Sequence, residues 1–222
     1  MMIKQLLSAV TFSGMAALTS QAAVIADWDF SGASGTVPDA DITPGSTLID
    51  ATNSGAVTGI SSSDLLSGGS LRYENAGGAA GELNLKNFHI TSGNGRGSFS
   101  FTLTADPGKT IEVTSLTMSS YRNGGGAPTQ LQWHVTVDGG TEEEYGTEQV
   151  GQLTPFAVDT FTESITGATT VKFEFRLDNA TGNGNIHFND IQVNGSVNAV
   201  PEPSSAALVG LGGLSLILRR RK

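Results

Sequence analysis

Three histidines, His89, His134 and His187, and one dense acidic run, Glu142-Glu143-Glu144 followed by Tyr145, are the residues of this chain whose types could do chemistry. The histidines lie far apart, each inside a stretch expected to be a strand, with no HxH or HExxH spacing, so ordinary strand histidines are the simpler reading than a metal triad. There is no cysteine, no Gly-x-Ser-x-Gly elbow and no Gly-rich phosphate loop leading into a helix. Nucleophilic hydrolysis is not indicated. A carboxylate pair for glycoside hydrolysis would come from separate strands and leaves no spacing signature. The acidic run follows an Asp-Gly-Gly turn and reads as a solvated loop. The chain is therefore expected not to be an enzyme.

Binding without catalysis is better served. A pyranose has an apolar face and a polar rim, so a sugar site needs an exposed aromatic beside hydroxyl-reading polar side chains. Tyr121-Arg122-Asn123 before a glycine run, Tyr145 in the acidic run, and Tyr73 beside Arg72 supply that combination. Trp28 and Trp133 share phase with apolar neighbours and are expected in the core.

The two ends carry a different kind of information. Residues 1–22 have one early cation, Lys4, an apolar stretch from Leu6 to Leu18, and small residues at Ser20 and Ala22, the order of a secretory signal peptide with Ala23 as the new N-terminus. The other end reads Val200-Pro201-Glu202-Pro203, an apolar helix over 204–218, and a basic tail, Arg219, Arg220, Arg221 and Lys222. Its apolar core, Ala206 to Leu218, is 13 residues, roughly 20 Å as helix against about 30 Å for a bilayer core. That is short for a permanent span, and it suits a temporary anchor whose terminal cations stay on the cytoplasmic side.

Pro-Glu-Pro, a short apolar helix and a terminal Arg cluster together resemble the PEP-CTERM sorting signal of Gram-negative bacteria, which is read by membrane protease-transpeptidases called exosortases. The resemblance covers residues 200–222. It implies an exosortase partner, removal of the helix and basic end, transient anchoring in the inner membrane, and delivery to the cell surface or the extracellular polysaccharide matrix.

Without both signals, residues 23–199 form one expected domain. Of 12 Lys and Arg, Lys4 and the four terminal cations go, leaving 7; of 21 Asp and Glu, Glu202 goes, leaving 20. A body near −13 argues against nucleic acid, whose phosphates need clustered cations.

Glycine is frequent, at 29 of 222 residues, and short alternating apolar runs fall between Gly, Asn, Asp and Pro clusters. That pattern predicts an all-β domain. Ser98 to Ala105, Thr129 to Val137 and Thr170 to Leu177 alternate most clearly; Val24 to Phe30, Gly81 to Ile90, Ile111 to Met118 and Ile186 to Val193 follow the same logic. The apolar phase slips at Thr114-Ser115 and at Asn189-Asp190, which predicts β-bulges. Eight to ten strands in one domain favour a single jelly-roll-like β-sandwich.

The run from Val171 to Val197 resembles the closing hairpin of secreted jelly-roll domains of the carbohydrate-binding and concanavalin-like kind. In those the first strand lies beside the last, and acidic residues there can hold a structural calcium, which nominates Asp27, Asp29 and Asp190. No D-x-D-x-D-G loop is present, so solvated acids beside turns are the plainer reading; no other cofactor is expected. Three functions follow in order: an exported, surface- or matrix-associated structural protein; a glycan-binding module for extracellular polysaccharide; a carbohydrate-active enzyme.

Overall fold

The structure is a computed structural model that describes residues 23–30, 41–42, 52–53, 57–68, 71–73, 82–86, 97–149, 157–182 and 184–200. Among these, all regular structure is β. In chain order the strands are β1 (Ala23–Asp29), β2 (Asp41–Ile42), β3 (Thr52–Asn53), β4 (Ile60–Ser62) and β5 (Leu66–Ser67). Then come β6 (Leu71–Tyr73), β7 (Leu83–Lys86), β8 (Gly97–Ala105), β9 (Lys109–Asn123) and β10 (Gln130–Val137). The last five are β11 (Glu143–Gln149), β12 (Ala157–Phe161), β13 (Ile165–Ala168), β14 (Thr170–Asp178) and β15 (Asn185–Ala199). The expected signal peptide, residues 1–22, the sorting segment after Val200, and His89 lie outside the described residues.

The strands form two antiparallel sheets. One has nine strands around β15, which pairs with β9 along one edge and with β7 and then β1 along the other. The second runs β11-β10-β14-β8, with β4 and β5 both on β8. The expected jelly-roll-like sandwich, with the first strand beside the last, is what forms.

Alternation explains the core. Along β14, Val171, Phe173, Phe175 and Leu177 are buried while Lys172, Glu174 and Arg176 point outward. Phe99, Phe101 and Leu103 on β8 and Leu131, Trp133 and Val135 on β10 repeat the pattern. The two inner faces meet through rings: Trp28 against Phe101 at 3.9 Å between centroids, Phe188 against Phe99 at 5.1 Å, and Phe161 against Phe173 at 6.0 Å. Both tryptophans are in the core, as their phase predicted.

Both expected bulges are present. Between Phe188 and Ile191 two residues of β15 face one of β9, and between Asn194 and Gly195 the extra residue is Thr114 of β9. Each lets a strand keep its apolar side inward on both sides of the slip. A third, between Val24 and Ala26, corrects the reading of β1. Val24 is exposed while Ile25, Ala26 and Trp28 are buried; the bulge turns Val24 out and Ile25 in.

The acidic run is also corrected. Glu143 to Tyr145 belong to β11, an edge strand, rather than to a loop. Charged side chains are at home on an edge, where one flank faces water. The preceding Asp138-Gly139 turn has φ of 51° and 69°, with Gly140 N–H donating to Val137 O at 2.9 Å, the two-residue left-handed turn whose twist suits a hairpin. Asp138 also pins the turn to β14. Its Oδ1 accepts from the Thr169 hydroxyl at 2.6 Å, Thr170 N–H at 2.7 Å and Thr169 N–H at 2.8 Å, and the Thr169 hydroxyl leads in holding this carboxyl below its ordinary range.

At the same end of the sandwich Ala105 N–H donates to Thr169 O at 2.8 Å, Asp106 N–H to Gly59 O at 2.9 Å, and Val200 N–H to Gly108 O at 2.9 Å. The last of these closes β15 one residue before Pro201.

Candidate functional site

The residues singled out for glycan contact are scattered by the fold. Tyr121 and Arg122 are neighbours on β9 and so point to opposite sides of the sheet, while Asn123 is exposed at the strand's end. Tyr121 is not an exposed platform. It is 7% exposed, its ring lies parallel on His187 with centroids 4.3 Å apart and planes 5° apart, and its hydroxyl donates to Glu82 Oε2 at 3.0 Å. The imidazole takes the face a sugar would need. Burial first, then the Glu82 bond, pushes the Tyr121 phenol up to about 12. Arg122 is half-buried, with Nε enclosed and unmatched.

Tyr121 belongs instead to a buried polar cluster. His187 lies between the core residues Ile186 and Phe188 in sequence and so faces away from them, yet it is fully buried. Its Nδ1 is 3.0 Å from Glu82 Oε2, the atom that accepts the Tyr121 proton. Asn84, its partner across β7, is also buried. Burial pushes the His187 imidazole below its ordinary range, against the pull of Glu82. The neutral ring then donates Nδ1–H to the carboxylate.

This predicts acid sensitivity. Because the folded pKa is lowered, the unfolded chain takes up the proton more readily; stability is full above the unfolded value of about 6.5 and is lost as pH falls through the lower folded value. The facing titratable groups, Glu82 and Tyr121, belong to the cluster, and Tyr121 stays protonated throughout. His134, lowered by burial and then by Arg176, acts in the same sense. Urea midpoints between pH 8 and 4.5 are expected to fall less steeply for His187→Gln than for the parent; equal slopes would contradict the assignment.

A second polar group, absent from the sequence reading, covers the outer face of the smaller sheet. Arg176 Nη1 is 3.3 Å and 3.4 Å from the two ring nitrogens of His134, so the guanidinium lies over the imidazole. Its Nη2 donates to Glu142 Oε1 at 2.7 Å and its Nε to Glu174 Oε1 at 2.9 Å, while Lys172 Nζ reaches Glu174 Oε2 at 2.9 Å. Register explains the gathering, since His134 stands opposite Glu174 on β14 and Glu144 on β11. Here the cations are already spent on neighbouring acids.

Tyr145, of the expected aromatic contacts, lines a concavity, while the Tyr73 side chain lies outside the described residues. The cleft has a volume of about 360 Å³ and is lined by Val135, Val137, Gly140, Thr141, Glu143 and Tyr145. Val135 and Val137 reach it from the inner face of β10, Gly140 and Thr141 from the turn, and Glu143 and Tyr145 from β11. Tyr145 stands edge-on to Phe161, centroids 5.2 Å apart, and its hydroxyl donates to Glu143 Oε2 at 3.0 Å. Burial and then Glu143 push its phenol up.

Register places Asp29 opposite Asp190 and Asp27 opposite Gln192. Among the described residues no group of three or more His, Cys, Asp or Glu gathers where it could hold a metal ion.

Residues 199–222 match the PEP-CTERM protein-sorting motif. The motif implies an exported protein processed at the membrane by an exosortase. A search of the curated proteins found no match. Similar solved structures include a family 29 carbohydrate-binding module, at 14% identity over 74% of this chain and 90% of that one, TM-score 0.37. Others are a module described as recognising mannan (9%, 80% and 99%, TM-score 0.32) and the family 11 module of Clostridium thermocellum with a β-1,3-1,4-mixed-linked tetrasaccharide (9%, 77% and 96%, TM-score 0.31).

Proposed function

We propose that this is an exported, non-enzymatic β-sandwich that becomes associated with the cell surface or extracellular polysaccharide of a Gram-negative bacterium after an exosortase has processed its tail. One observation carries the reading. The sorting motif begins at residue 199, and the last strand ends at Ala199 with its final backbone bond at Val200. A cut after Val200 therefore removes no strand and no described hydrogen bond. The intact mass of protein recovered from native cells is expected to lack Arg219 to Lys222; a mature protein that retains them would end the proposal. Residues 23–200 and 23–222 are expected to melt at the same temperature. Running that melt with calcium and then with chelator tests the metal expected at Asp27, Asp29 and Asp190, which an unmoved midpoint would remove.

A second reading, binding of extracellular polysaccharide by the domain itself, is favoured by the Tyr145 cleft. It sets an aromatic ring beside a carboxylate and the Thr141 hydroxyl, the pairing that a sugar's apolar face and polar rim call for. Loss of polysaccharide retardation in affinity electrophoresis on Tyr145→Ala would support it.

A further inference from the structure

We propose that the cleft between the Asp138–Gly139 turn and β11 takes a saccharide unit bearing a free amino group and turns away uronic acids. The inference rests on the glycan-binding reading and names the class of sugar.

Its volume, about 360 Å³, falls at the lower end of small-molecule sites, about 300–1,000 Å³, and suits one or two sugar rings rather than a folded partner. The Tyr145 ring, held edge-on by Phe161, offers the aromatic face that the C–H side of a pyranose requires, with the largely buried Val135 and Val137 beneath it. Thr141 is the one hydroxyl of the lining not engaged by Glu143.

Charge then selects among sugars. Glu143 is the single charged group lining the cleft. Tyr145 donates its proton to Oε2 and so fixes the carboxylate as an acceptor, leaving Oε1 for a donor from the ligand. Two cations of the same sheet are committed elsewhere, on its outer face: Arg176 to Glu142 and Glu174, and Lys172 to Glu174. The lining holds no cation to pair with a carboxylate ligand, which would meet Glu143 with like charge. An ammonium instead forms a charge-assisted hydrogen bond, stronger than the bond of a neutral hydroxyl or amide.

The test is a titration of the mature protein, purified from the producing cells, with four probes. These are a glucosamine tetrasaccharide, its N-acetylated counterpart, a galacturonate tetrasaccharide, and trilysine as a source of ammonium without a sugar ring. The glucosamine oligomer is expected to bind at least about tenfold more tightly than the N-acetylated one, the difference made by one charged hydrogen bond. The galacturonate oligomer and trilysine should give no saturable binding. Glu143→Gln, on an exposed side chain, should fold normally and erase the preference. Equal affinity for the free and acetylated oligomers, or a preference that survives Glu143→Gln, overturns the amino-sugar assignment while leaving glycan binding intact. Trilysine binding as well as the oligosaccharide overturns the need for a sugar. No binding of any oligosaccharide overturns the glycan-binding reading itself.

Discussion

Phe175→Ala is expected to destabilise the sandwich by about 3–5 kcal/mol, the range for removing a large buried aromatic. Phe175 is fully buried at the middle of β14, the strand between β10 and β8. It stacks on Phe99 with centroids 4.8 Å apart, receives the edge of Trp133 at 5.1 Å, and lies 5.9 Å from Phe101. These rings sit on three adjacent strands, so none can move into the vacancy without leaving its own place in the ladder. A loss of that size is a large part of the about 5–15 kcal/mol that holds a domain together. Urea denaturation of parent and variant measures it. A loss below about 1.5 kcal/mol would mean that the aromatic core repacks and that these ring contacts, all within the smaller sheet, do not fix its inner face.

The second large effect is expected from a single methyl group. Gly195 of β15 pairs with Val113 just past the Thr114 bulge, and with Ala23 of β1 on its other side. A Cβ there would collide with the Glu112 carbonyl oxygen, with the carbonyl carbon 2.9 Å away and Val113 Cα at 3.1 Å. Backbone on a central strand cannot yield without moving its neighbours. Gly195→Ala should therefore cost about 1–3 kcal/mol, the range for overpacking, and more if the bulge is lost. Gly125→Ala, where an added methyl meets open space, is the control and should lie within about 0.5 kcal/mol of the parent. Equal midpoints for the two variants would contradict the close approach.

The contrast between these positions reflects what can be read from a sequence. Strict alternation makes β8, β10 and β14 legible to within a residue or so, because burying one face of a sheet is a local demand repeated every second residue. The bulges at Thr114 and at Asn189-Asp190 are legible for the same reason: where the apolar phase slips and both sides must remain buried, the chain has to absorb a residue. The bulge beside Val24 was hidden because Val24 and Ile25 are both apolar and either could face inward. The candidate site was less accessible. Tyr145 is singled out by its type, but the cleft it lines is completed by β10 and the Asp138–Gly139 turn, which its own neighbourhood does not signal. Tyr121 was misplaced because its partners, Glu82 and His187, come from the residue preceding β7 and from β15. Glu142 and Arg176 are 34 residues apart and Glu82 and His187 are 105 apart; nothing in either neighbourhood signals the other.

The hydrogen bond from Val200 N–H to Gly108 O places the exit of the tail at the end of β15, and β15 is held on both edges, by β9 and by β1. Tension entering through Val200 runs lengthwise down this strand. Antiparallel hydrogen bonds lie across that direction, so the ladders on either side bear the load together, in shear, rather than opening one bond at a time. The paired arm opposite β9 spans Lys109 to Asn123, and β1 adds a second grip from Ala23 to Asp29. The β15 attachment is therefore built as a mechanical clamp, and the domain should resist extraction by its C-terminus far better than peeling from the β11 edge.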